Sequence, residues 1–262
     1  MFTWRRLPAR LANAVAGARH NSQLSVVPEL VGTAPWHQYI VFLRTTMRPS
    51  EYPSRMTSQL QRHLQLRVRE SGGLVNFSWF PEKSSLTNLR DPLAYEATAF
   101  FQSGSSFSYP EVNMSNVDGV AASLEAHARE QSPKATSNHT HIYVCTHAAR
   151  DCRCGTAGGE VAAALREEVK SRSETERIFV SETAHVGGHK YAANVLVYPH
   201  GDWYADPTVV FSLLANTLEQ ARPCDSRSRS KFARRYNGPL ETPSLSKYYA
   251  STLSSLERTN GT

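Results

Sequence analysis

The apolar residues of this chain follow two different periods in turn. HQYIVFLRT (37–45) is a short, nearly continuous apolar run and predicts a buried strand. PSRMTSQLQRHLQLRVRE (53–70) sets Met56, Leu60, Leu64 and Val68 on one helical face, and Gly72-Gly73 stops it. LVNFSWF (74–80) alternates, with Val75, Phe77 and Trp79 on one side. A hairpin is predicted over 96–110, turning near Gly104, and a helix over 116–130. QSPKATSN (131–138) has the composition of a linker.

The same order then recurs. HIYVCTH (141–147) predicts a strand, GEVAAALREEVKSR (159–172) a helix with Val161, Leu165 and Val169 inward, and RIFVSETAH (177–185) a strand. A hairpin over 194–207 turns at Gly201, and a helix follows over 208–220. The period is about 100 residues, and Gly104 and Pro110 have the same spacing as Gly201 and Pro207. The chain therefore reads as α/β: two tandem β-α-β-β-α lobes, 36–132 and 138–222. That order is the core of a thioredoxin-like fold, a mixed sheet flanked by helices.

Charge separates the ends from the middle. The net +6 of the 262 residues resides at the termini: residues 1–24 carry +4, residues 222–262 carry +5, and residues 25–221 are net negative. The basic balance is therefore no property of the globular part, which argues against nucleic-acid binding. Residues 1–24 hold Arg5, Arg6, Arg10 and Arg19, no acid, and an amphipathic spacing of Phe2, Leu7, Leu11 and Val15. That composition reads as a mitochondrial transit peptide leading to the matrix. The Ser/Arg-rich stretch 223–262 reads as a solvated basic tail. No run approaches the roughly 18 apolar residues of a spanning helix, so no stable membrane insertion is expected.

The candidate chemistry is confined to the second lobe. Of four cysteines, Cys145, Cys152 and Cys154 crowd into CTHAARDCRCG (145–155), at the end of a strand and before a helix; Cys224 lies beyond. In a reducing compartment such clustering points to metal or redox chemistry rather than disulfides. His185 and His189 follow the next strand, separated by Val-Gly-Gly, so the side chains can converge at one end of the sheet. Cys145, Cys154, His185 and His189 offer two thiolates and two imidazoles. Zinc accepts that set, and so does a [2Fe-2S] cluster with imidazole replacing half the thiolates. The C-x8-C loop is wider than the usual zinc knuckle and favours the cluster. The Val-Gly-Gly spacer rules against the helical H-E-x-x-H of a metalloprotease. GTAGGE (155–160) has neither dinucleotide nor P-loop spacing. Around the ligands, Arg150-Asp151 reads as a local ion pair bracing the loop. His147 reads equally as a supporting donor or an exposed loop residue, and Asn194 as a tie between loop and strand. Trp203 and Tyr204 read as packing.

VCTHAARDCRCG and HVGGHKYAANVLVYPHGDWY, with an upstream half of similar layout, resemble the sucrase/ferredoxin-like family over about residues 36–222. More narrowly they are similar to its altered inheritance of mitochondria protein 32 branch. The resemblance implies that 138–222 is a thioredoxin-like ferredoxin domain whose [2Fe-2S] cluster is held by Cys145, Cys154, His185 and His189. Cys152 falls on a variable position of the motif and is not implied as a ligand. The expected function is one-electron transfer in the mitochondrial matrix with a redox partner protein of unknown identity, an electron carrier more than a self-contained enzyme. Two alternatives remain: a thiol–disulfide oxidoreductase or redox sensor using Cys152 and Cys154, weakened by the absence of C-x-x-C, and a structural zinc protein with the same four ligands.

Overall fold

β1 (Tyr39–Arg44) is buried along nearly its whole length because it lies inside a sheet covered on both faces. The computed structural model describes residues 33–81, 93–130, 139–188 and 191–205 and the backbone of 234–235. The chain continues through α1 (Gln59–Val68), β2 (Gly73–Trp79), the hairpin β3 (Tyr95–Phe101) and β4 (Ser106–Val112), and α2 (Val117–Arg129). The second half repeats the order: β5 (Thr140–Cys145), α3 (Gly159–Ser171), β6 (Ile178–Thr183), and the hairpin β7 (Val195–Tyr198) and β8 (Asp202–Tyr204). A two-residue strand, β9 (Arg234–Arg235), pairs with β8. The fold is mixed α/β, as expected. The presequence, the helix over 208–220 and nearly all of the basic tail lie outside the described residues.

The two halves share one arrangement. In the first, the strands run β4-β3-β1-β2, with β1 parallel to β2 and antiparallel to β3. In the second, β6-β5-β7-β8 is the same pattern reversed, with β5 parallel to β6 and antiparallel to β7. The duplication anticipated from hairpin spacing is thus present in the backbone. The two hairpins turn where expected, at Gly104 and Gly201, both with positive φ.

Two features depart from the expectation. The first helix begins only at Gln59, where the Ser58 hydroxyl accepts from the Gln61 N–H at 3.1 Å. Pro53 holds Tyr52 extended, and a 3-10 turn at Pro49–Glu51 precedes it. Leu60, Leu64 and Val68 are buried as the periodicity required. The second departure is larger: the halves form a single sheet. β2 and β6 pair antiparallel through Ser78↔Thr183 and Trp79↔Glu182.

That seam is two residues long, and there the halves turn to face each other. α1 and α2 cover the outer face of the first half, packing Leu60, Leu64, Val117 and Leu124 against Tyr39, Val41 and Phe77. α3 covers the outer face of the second half through Val161, Leu165 and Val169. Between the inner faces lies an aromatic layer. Phe42 stacks on Tyr143 with ring centroids 3.8 Å apart, and Phe100 stacks on Tyr198 at 4.7 Å. Cys145, Cys154 and Val186 belong to this same layer, as do Leu196 and Trp203. No helix of the described residues is long and apolar enough to cross a membrane.

Candidate metal centre

Cys145 is the last residue of β5 and is level with Thr183 at the end of β6. Adjacent strands lie about 4.8 Å apart, so a residue just past Thr183 can meet Cys145. His185 does. After Cys145 the chain makes an eight-residue excursion and returns at Cys154, the first residue of a π-helical turn, Cys154–Gly158, that runs directly into α3. The excursion is closed by Asp151, whose carbonyl accepts from the Cys154 N–H at 3.0 Å and whose carboxylate accepts from the Arg153 N–H at 3.0 Å. The Asp151 ion pair is made with Arg153, at 2.9 Å, and not with Arg150 as its sequence neighbour suggested. In the turn, the n+2 neighbour has the shorter reach.

A sulfur of Cys145, a sulfur of Cys154 and a ring nitrogen of His185 lie within 4.8 Å of one another. Both cysteines are buried and neither is in a disulfide. The third cysteine of the cluster, Cys152, is exposed and stands outside this group of donors. His189, expected as the fourth donor, lies outside the described residues, as does Cys224. The donor set is two soft thiols and an imidazole in a largely apolar layer, which fits a soft or borderline metal or an iron–sulfur cluster and suits neither calcium nor magnesium.

The cysteine pair shares its protons unevenly. Cys145 is held well below the ordinary thiol pKa, first by the thiol hydrogen bond from Cys154, then by His185 and the backbone N–H groups of His147 and Val186. Burial opposes this and does not prevail. The Cys154 thiol is pushed up, because it donates to Cys145, is buried, and faces that developing negative charge. A sulfur whose ionisation is favoured by four donors is a site prepared for a cation.

Neighbouring residues hold this geometry. His147 is buried, not an exposed loop residue: its Nε2–H donates to the Pro53 carbonyl at 2.9 Å, leaving Nδ1 to accept from the His185 N–H at 3.3 Å. Burial keeps His147 below its ordinary pKa, in line with the neutral tautomer. Asn194 ties loop to strand as expected, donating to the Gly188 carbonyl at 3.0 Å. Gly187 and Gly188 both have positive φ, which turns the chain after His185. The first half also reaches in. The Phe77 carbonyl accepts from the Thr183 hydroxyl at 2.9 Å and the Ala184 N–H at 3.0 Å, fixing the segment that carries His185. Trp203 and Tyr204 are buried packing residues, and the Trp203 indole donates to the Tyr198 hydroxyl at 3.1 Å.

The π turn was not anticipated. Its signal was present in GTAGG: a Cβ on Gly158 would lie 2.1 Å from the Cys145 carbonyl oxygen, and one on Gly155 would lie 2.5 Å from the Ala148 Cβ. Those glycines let the turn rest on the end of β5 and bring the two sulfurs together.

Comparison with known proteins identifies the family. A profile of the sucrase/ferredoxin-like family matches residues 30–230. Altered inheritance of mitochondria protein 32 of Eremothecium gossypii is 29% identical over 195 residues, 64% of this chain and 60% of the relative. Its namesake from Meyerozyma guilliermondii is 30% identical over 84 residues, 30% of each chain. That from Candida glabrata is 34% identical over 64 residues, 23% of this chain and 18% of the relative. Each match spans less than two thirds of the relative's own length.

Proposed function

Because the chain belongs to the sucrase/ferredoxin-like family, we propose that it is a mitochondrial redox protein whose second half holds a [2Fe-2S] cluster on Cys145, Cys154, His185 and His189. The observation that carries the proposal is the convergence of two buried sulfurs and one imidazole within 4.8 Å, the imidazole coming from the end of the next strand, well beyond the cysteine loop. The relatives' printed name supports the compartment, and the Arg-bearing, acid-free residues 1–24 point to import into the matrix. When bound, such a cluster supplies a one-electron couple, and imidazole ligands raise its potential relative to four thiolates by lowering its negative charge.

The chain's own residues then have defined work. Cys145 presents a sulfur whose ionisation is favoured by the donors around it. His147, in a fixed tautomer, orients the backbone of His185. The aromatic layer between the halves keeps bulk water from the sulfurs. The first half offers no comparable donor group among the described residues and serves as the cover. The electron partner is a second protein.

A single zinc ion is the second reading. Donors within 4.8 Å of one another also suit one tetrahedral ion with ligand distances of about 2.0–2.3 Å. The ligand assignment itself is tested by replacement. Cys145→Ser, Cys154→Ser and His185→Ala are each expected to cost most of the bound metal and, if it is iron–sulfur, the visible absorption of protein purified without oxygen. Cys152→Ser is expected to keep both. Full metal retention in the two buried-cysteine variants, or loss confined to Cys152→Ser, would contradict the assignment and favour thiol chemistry at Cys152 and Cys154.

A further inference from the structure

Glu182 has no exposed side-chain surface, yet it is a carboxylate. Its Oε1 accepts from Arg48 Nη2 at 2.8 Å and from Arg166 Nη1 at 3.0 Å, and its Oε2 accepts from the Thr146 hydroxyl at 2.9 Å. The three partners come from three different places. Thr146 directly follows Cys145. Arg166 is on α3, the helix that the Cys154 turn feeds, and its Nε also donates to the Val180 carbonyl at 3.2 Å. Arg48 comes from the first half, just past β1. Glu182 itself lies three residues before His185 and is one of the two β6 residues that pair with β2 at the seam. Its partner across the seam, Trp79, carries both guanidiniums on its ring, Arg48 at 4.8 Å and Arg166 at 5.6 Å from the centroid.

We infer that Glu182 is a positioning residue for the metal centre, and that through Arg48 it makes the first half of the chain part of that centre. Glu182 ties together the segments that bear the three donors: Cys145 through Thr146 and Cys154 through Arg166, by two arms of its carboxylate, and His185 through its own main chain. The cost of removing this carboxylate from water offsets most of its attraction to the arginines, so the knot contributes position more than stability. Supporting residues of this kind govern how well a ligand set closes on its metal. The inference rests on the metal reading above, and its test separates the two.

The test uses the full-length, metal-free chain, titrated without oxygen with Co2+ alone, the thiolate-to-cobalt absorption bands reporting on the sulfurs. Wild type is expected to bind Co2+ with those bands. Glu182→Gln is expected to bind about tenfold more weakly and with altered bands. Thr146→Val and Arg48→Met, which remove one arm each, are expected to weaken binding by a smaller factor in the same direction. Melting curves are taken alongside; should Glu182→Gln fail to fold, the two single-arm variants decide. Variants that melt lower but bind Co2+ with unchanged affinity and bands overturn the inference while leaving the metal reading intact. A wild-type chain with no thiolate–cobalt bands overturns both.

Discussion

Burial holds the His37 imidazole well below its ordinary pKa, at about 4, against the opposing hydrogen bond its Nδ1 makes to the Pro35 carbonyl at 2.9 Å. The folded chain therefore binds fewer protons here than the unfolded chain, whose imidazole titrates near 6.5. The stability from a neutral His37 is fully present above about pH 6.5 and is lost as pH falls toward 4, on the order of 3 kcal/mol in all. Denaturant midpoints measured across that window are expected to fall for wild type and to fall less for His37→Gln. Equal slopes would place the acid sensitivity elsewhere. Individual residues differed in how far the sequence revealed them. Asn194 was legible because a polar residue between a Gly-rich loop and an apolar strand has few other uses. His147 was not, because its partner, the Pro53 carbonyl, is 94 positions away. Asp151 paired with Arg153 instead of Arg150 because the direction of a turn decides which neighbour a carboxylate meets.

Among the elements, the π turn Cys154–Gly158 links the fold most closely to the site. π turns insert one residue into a helical ladder and are common where a side chain must be re-aimed. Adjacent glycines give a controlled test. A methyl group on Gly158 would strike the Cys145 carbonyl oxygen, whereas one on Gly159 meets nothing within 4 Å. Gly158→Ala is expected to separate Cys154 from Cys145 and to lose most of the bound metal. Gly159→Ala is expected to keep it and to gain up to about 1 kcal/mol from helix propensity, provided that φ near −61° is retained. Metal content and chemical denaturation of the two variants decide; equal behaviour would remove the close approach at Gly158 from the account. The helices and strands themselves were readable from periodicity, since Leu60, Leu64 and Val68 or Val161, Leu165 and Val169 could face only a core. The start of α1 differs from the periodicity because Met56 continues the apolar stripe outside the helix, with the break set by Pro53 and the Ser58 cap.

For the whole molecule, duplication was visible in the order of elements, but the way the copies meet was not. Their junction is a two-residue ladder between β2 and β6, and no periodicity marks a contact between strands a hundred residues apart. The aromatic layer was likewise hidden. Phe42 and Tyr143 lie in strands of different lobes, about a hundred residues apart, and stack on one another across the two. The consequence is functional. The cysteine pair is enclosed between the halves, with Cys145 and Cys154 in the same layer as Phe42 and Phe100, so the candidate donors, which among the described residues all come from the second half, sit in a layer that both halves build. The proposed [2Fe-2S] cluster can be sought in the protein itself. The most direct test is the iron, sulfide and zinc content of the full-length chain purified without oxygen, together with its visible spectrum before and after reduction. Iron and sulfide are expected in equal amounts, near two of each per chain, with a colour that one electron reversibly bleaches. Stoichiometric zinc with no colour would contradict the cluster assignment.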